Sequence, residues 1–203
     1  MIFTVPFHTA LLNYDNYAEA LKKRGQCDNH DLLVITQRQD EEAATEFTRK
    51  VEKLFRSYEV KIVEAQPNPI AAANAFFKEA VYYFRDHKGD PLAQQPTPML
   101  YGDPTWYPGA NGWLDTIQGE FFSRGMPRVL CRWKTNDVGE KITWGPVVIS
   151  KAHVLDCPLV PHTPARTHWR TYLRHELGNV AMASKSISTG KDSVLKPTPP
   201  RKK

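Results

Sequence analysis

The residues best placed to do chemistry stand in one stretch of this 203-residue chain, positions 98–125, PMLYGDPTWYPGANGWLDTIQGEFFSRG. Its apolar run Met99-Leu100-Tyr101 reads as a buried strand. The run stops at Gly102-Asp103-Pro104, where a carboxylate stands between two residues that cannot continue a strand. An acid at the carboxyl end of a central strand, ahead of a loop and a helix, is where an open α/β sheet places ligand chemistry. The same Asp103 also suits a plain turn, because Asp side chains bond backbone two residues on. Trp106, Tyr107 and Trp113 in the turn offer apolar walls on which a sugar or base could stack; alternatively they close the core beside the glycines.

The elements that must position this stretch follow from periodicity. Residues 2–5 read as a first strand ended by Pro6-Phe7-His8, and 13–24 as a helix closed by Gly25. The run DLLVIT at 31–36 has the continuous apolar character of a strand buried on both faces. Asp40 is placed to cap a helix that runs to about Arg56 with Ala44, Phe47, Val51, Leu54 and Phe55 inward. Residues 58–63 alternate, as expected nearer a sheet edge. A helix over 70–85 then carries Ile70, Ala73, Asn74, Phe77, Ala80, Val81 and Phe84 on one face. Asn74 is the polar member of that stripe and needs a partner. Leu114, Ile117, Phe121 and Phe122 share one side of a helix after the turn. Strands at 128–133 and 142–149 follow, as a hairpin-like addition to the edge of the parallel part, and a short helix spans 167–177. Three strand-helix units and a fourth strand predict a largely parallel α/β sheet with right-handed crossovers.

Totals narrow the function classes. The chain suffices for one domain with a full core, and its 41% apolar and 24% charged content is ordinary for a soluble protein. Its apolar runs are too short to span a bilayer, and MIFTVPFHTALL lacks the basic segment of a signal peptide. Cys27, Cys131 and Cys157 have no CxxC spacing, which predicts reduced thiols in a cytoplasmic compartment. The net charge of +5 is concentrated at the end: from 185 onward six basic residues meet one acid, leaving 21 of each sign in the rest. Residues 184–203 therefore read as a basic, Pro/Ser/Lys-rich, disordered tail after a single domain over 1–183. Such a tail either binds polyanions or aids solubility.

There is no GxGxxG after the first strand, no GxxxxGK[ST] and no GxSxG. A dinucleotide site, a P-loop and a hydrolase elbow are not indicated. The order of elements instead resembles the GT-A glycosyltransferases, and the stretch over 98–127 is similar to GT-A-like proteins of bacteriophages and bacteria. Gly112-Trp113-Leu114-Asp115, Glu120-Phe121, the 144–149 strand WGPVVI and the 168–177 segment HWRTYLRHEL carry that resemblance. It implies a GT-A-like, Rossmann-type mixed sheet, mostly parallel and flanked by helices. Residues 1–104 would form the nucleotide-sugar-binding half and 105–183 the acceptor side.

The resemblance implies transfer of a sugar from a nucleotide-sugar donor, with Mn²⁺ or Mg²⁺ held by an acid-x-acid turn against the diphosphate. Asp103 falls on the first acid position, as metal or ribose contact. Thr105 falls on the second, and is a neutral hydroxyl. Asn74 falls where the family places a residue facing the diphosphate. Arg170 stands where the late helix has an Asp, so Asp115 and Glu176 become the candidate catalytic acids beside Asp103; each also suits a plain helix-end role. Trp106, Tyr107 and Trp113 would contact the acceptor. His153, His162, His168 and His175 are further possible metal ligands or ordinary surface histidines. The acceptor is open, with modified bases of phage DNA as one class, held through the basic tail. That reading places the protein in the host cytoplasm. Two alternatives stand beside it: a catalytically degenerate GT-A-like binding or phage accessory protein, and a nucleotidyltransferase on a similar frame.

Overall fold

A computed structural model of the chain describes residues 1–9, 14–86, 97–103, 105–135, 141–151, 170, 181–188 and 193–197. The elements are β1 (Ile2–Phe7), α1 (Tyr14–Lys22), β2 (Cys27–Gln37), α2 (Glu41–Val51), β3 (Phe55–Val63), α3 (Pro69–Asp86), β4 (Met99–Tyr101), β5 (Trp106–Pro108), α4 (Trp113–Ser123), β6 (Val129–Thr135), β7 (Lys141–Ile149), β8 (Ala181–Ala183) and β9 (Leu195–Pro197). Seven strands form one sheet in the order β3-β2-β1-β4-β7-β6-β8. Only β7 runs against the others, pairing antiparallel with both β4 and β6. The sheet is mixed, mostly parallel and flanked by helices, as expected, and the β6–β7 hairpin joins the edge of its parallel part.

The continuous apolar runs are explained by two covered faces. Phe3, Val5 and Phe7 of β1, Leu32 and Val34 of β2, Leu100, Leu130 and Val148 point into a core shared with α1, α2 and α4. Ile2, Leu33, Ile35, Met99, Tyr101, Val147 and Ile149 point the other way, against Phe76, Phe77, Ala80, Val81 and Phe84 of α3. Alternate side chains thus enter opposite cores, and no solvated face interrupts the run.

Several boundaries differ from expectation. Pro6 does not end β1. Ile2 N–H donates to Pro98 O at 2.9 Å and Thr4 O accepts Gly102 N–H at 2.7 Å, so the backbone groups of alternate residues face β4. Pro6 would face the same way two residues on, where β4 has ended, and its missing N–H breaks no ladder. Phe55 opens β3 rather than ending α2, because Glu52–Leu54 tightens into a 3₁₀ turn. On α3 the buried set includes Ala71 and Ala72 while Ile70 is 40% exposed, so the first turn is rotated from the expected stripe. Asp40 makes no capping bond to α2.

The expected tail is partly body. Residues 195–197 form β9 against the unforeseen β5, and Ile187 and Leu195 are buried in the α4-side core. A Ser/Lys/Pro segment that cannot build its own core can still dock on an existing one. Glu120 of α4 clasps it: Ser184 Oγ donates to Oε2 at 2.8 Å, Lys185 N–H to Oε1 at 2.8 Å and Ser186 N–H to Oε2 at 2.9 Å. Residues 198–203 lie outside the described residues.

Burial pushes the Glu120 pKa up, and these donors outweigh it, leaving the pKa below the ordinary carboxyl value. A carboxyl depressed in the folded state stabilises above its unfolded pKa and loses that contribution as pH falls through the folded value. Glu120→Gln is expected to cost about 1–3 kcal/mol at neutral pH. The gap to wild type should shrink as pH falls below the ordinary carboxyl range and the wild-type carboxyl protonates. Thermal melts across that range check it; a pH-independent gap would remove the clasp from the account.

Candidate functional site

From β1 the sheet grows one way through β2 and β3, and then the chain returns to β1's other side as β4. The carboxyl ends of β1 and β4 therefore flank a topological switch point, the place where open α/β sheets bind their ligands. Ile2 to Thr4 pair in register with Met99 to Tyr101, so Asp103 emerges just past that junction. Gly102 makes the junction possible. A Cβ there would lie 2.7 Å from Thr4 O and 3.1 Å from the Phe3 ring.

Asp103 is held on both carboxylate oxygens. Oδ1 accepts Thr105 N–H at 3.0 Å and the Thr105 hydroxyl at 2.6 Å. Oδ2 accepts Arg170 Nη2–H at 2.9 Å. The same guanidinium donates through Nη1 to Gly145 O at 2.6 Å. Burial lowers the Arg170 pKa from its ordinary value and the Asp103 carboxylate opposes the shift; a guanidinium stays charged regardless. Thr105 and Arg170, the two positions where acids were expected from the resemblance, thus both contact Asp103.

The carbonyl that anchors Arg170 is itself fixed. Gly145 interrupts no strand; it lies within β7 at φ +82°, a conformation L side chains rarely adopt. A Cβ at Gly145 would also stand 2.6 Å from Trp106 Cζ2. Trp106 packs edge-on against Trp144 at 5.5 Å.

This packing corrects the expected acceptor wall. Trp106 and Trp113 are each 1% exposed, and Trp113 meets Phe3 edge-to-face at 5.0 Å. Both close the core beside the turn and present no face to a ligand. Tyr107 is half-buried, with its ring 5.3 Å from Tyr17.

The candidate acids separate. Asp115 accepts or shares a hydrogen bond with His30 Nε2 at 2.9 Å. His30 stands beside Asp31, which pairs with Ile2 at the amino end of β1, so Asp115 is at the opposite end of the strands from Asp103. There it partners a buried histidine. Asn74 is half-buried, in the second turn of α3, whose N-terminus is capped by Asn68 Oδ1 accepting Ala71 N–H at 2.9 Å. Glu176 and the four late histidines lie outside the described residues.

Sequence reading passed over a second group at the carboxyl ends of β1 and β2. Thr9 Oγ1 donates to Asp40 Oδ1 at 2.5 Å, and His8 Nδ1 is 3.7 Å from Asp40 Oδ2. Asp40 Oδ2 and Gln37 Nε2 are buried and have no hydrogen-bond partner among the described residues. Beside them a cleft of about 450 Å³ opens between α1 and α2, lined in part by Phe7, Thr9, Tyr14 and Phe47. Asp40 resembled a helix cap in sequence, and only pairing of β1 with β2 shows that it faces residues 8 and 9.

The buried phenols and thiols are quiet. Burial pushes up the phenols of Tyr14, Tyr17 and Tyr101, and the Cys27 and Cys131 thiols to about 12. All stay protonated at neutral pH.

The described residues around Asp103 do not by themselves fit the expected Mn²⁺ or Mg²⁺. A hard dication needs several oxygen ligands in near-regular geometry. Here one carboxylate is engaged by a hydroxyl, an amide and a guanidinium, and no group of three or more His, Cys, Asp or Glu among the described residues could hold a metal.

No protein-family model matches the chain, and no curated protein does. Solved structures share its fold. Mouse xyloside xylosyltransferase 1 superposes with a TM-score of 0.54 at 10% identity, over 90% of this chain and 83% of that one. S. aureus TarS 1-349 gives 0.53 at 11%, over 97% of this chain and 60% of that one. The 4-diphosphocytidyl-2C-methyl-D-erythritolsynthase of Anaerococcus prevotii DSM 20548 gives 0.51 at 8%, over 90% and 85%. At these identities the likeness is one of fold: the chain has a GT-A-like, Rossmann-type mixed sheet.

Gly145→Ala tests the support beneath Arg170. Strain at positive φ together with overlap on Trp106 is expected to cost about 2–4 kcal/mol in urea unfolding. A neutral substitution would show that Trp106 does not constrain this carbonyl.

Proposed function

We propose that the chain is a glycosyltransferase whose nucleotide-sugar donor lies across the carboxyl ends of β1, β2 and β4. The observation that carries the proposal is the Asp103–Arg170 pair, 2.9 Å apart, at the switch point of a GT-A-like sheet. In sugar transfer the bond from the anomeric carbon to the diphosphate oxygen breaks, and that oxygen keeps the electron pair. An acceptor oxygen forms the new bond and gives up its proton. The site must therefore orient a diphosphate and stabilise charge developing on it. Asp103 and Thr105 orient the cation at this point. The buried polar groups of Gln37 and Asp40, with the neighbouring cleft, are assigned to the nucleoside. Glu176 stays the acid proposed from sequence to take the acceptor proton; Asp115 does not, since it faces His30.

The names of the solved relatives support this reading: one is a xylosyltransferase, and another's name contains a diphosphocytidyl group. The bacteriophage or bacterial type rests on the pattern over 98–127 alone. The basic arm that would hold a DNA acceptor is, over residues 195–197, a strand seated on β5.

A second reading, a donor-binding protein without turnover, is favoured by Thr105 in place of a second acid. Thermal melting with a panel of nucleoside diphosphates and nucleotide sugars, followed by mass spectrometry of released sugar or product, separates the two. A transferase shows a raised melting temperature and turnover, with Asp103→Asn reducing turnover about a hundredfold. Binding without turnover supports the second reading. No shift with any nucleotide would remove the donor site altogether.

A further inference from the structure

We infer that the Arg170 guanidinium is the resident cation of this site, and that a nucleoside diphosphate binds at Asp103 without a divalent metal. The inference rests on the donor reading above and narrows it to one mode of anion recognition.

Charge is the first argument. An acid-x-acid turn carries two negative charges and reaches neutrality with a dication. Here Thr105 contributes no charge, Asp103 contributes one negative charge and Arg170 one positive charge. The turn is balanced by its own side chains. A dication placed at Asp103 would have to displace the guanidinium from Oδ2 or lie against it, and like charges at that range repel strongly.

Geometry is the second argument. Arg170 is gripped from two sides, by Asp103 Oδ2 at 2.9 Å and by Gly145 O at 2.6 Å. Neither grip is loose. Asp103 is tied by the Thr105 amide and hydroxyl, and Gly145 is packed against Trp106. The planar fork is therefore oriented before a ligand arrives, and its side chain keeps 21% exposure. A fixed guanidinium matches phosphate oxygens in shape as well as charge. In sugar transfer it would face the oxygen on which charge develops as the donor bond breaks, with no reorganisation at that moment.

Isothermal titration of the full chain with UDP, GDP, ADP and CDP, in EDTA and then in Mn²⁺, tests the inference. Whichever nucleotide binds is expected to do so with affinities agreeing within about twofold in the two conditions. Arg170→Ala should weaken that binding at least about tenfold, and Arg170→Lys should recover part of it. The double variant Thr105→Asp, Arg170→Ala, which rebuilds a two-acid turn, should bind only when Mn²⁺ is present. Wild-type binding that EDTA abolishes and Mn²⁺ restores would overturn the inference while leaving the donor reading intact. A folded Arg170→Ala that binds as wild type does would also overturn it. No binding in either condition would overturn the donor reading, and this inference with it. If Arg170→Ala does not fold, the wild-type comparison decides.

Discussion

One guanidinium joins three parts of the chain that are far apart in sequence. Arg170 bonds the acid that follows β4 and the carbonyl inside β7. β4 and β7 are the two strands where the sheet changes from parallel to antiparallel. The contact therefore ties the parallel half of the sheet to the half built from the β6–β7 hairpin, just past the carboxyl end of β4. Everything that positions it is packing of an ordinary kind: a glycine that lets β4 approach β1, and another that lies flat against a tryptophan.

The aromatic residues of the turn are spent on that support. Trp106 and Trp113 were candidates for ring stacking, and both are core. Trp106 packs against both Gly145 and Trp144, and Trp113 locks the start of α4 against Phe3. A turn of Gly, Pro and Trp has the same composition whether its aromatic faces look inward or outward. The site is accordingly polar and charged where the sequence suggested an apolar wall.

The end of the described chain matters for the same reason. Glu120, an acid beside two phenylalanines on α4, receives three donors from residues 184–186. Leu195 and Ile187 then complete the core on the α4 side, and β9 covers β5, which contains Trp106. The segment that composition marked as a free basic arm helps to hold down the strand beneath the site.

The sequence by itself determined the layered α/β frame, because covered strands and amphipathic helices differ in period. DLLVIT, the 70–85 stripe and the run ending at Gly102 each specify an element without reference to the others. It also determined that Asp103 stands at a strand end, since Gly and Pro bracket it. The tertiary structure alone decided what Asp103 touches. Arg170 is 67 residues away, and Asp40 and Asp115 look alike as helix-start acids until β1 pairs with β2 and α4 docks. Periodicity reports which face of an element is apolar. It carries no record of which distant polar group a buried one must satisfy, and the partner of Asp103 is such a group, brought from another part of the chain by the fold.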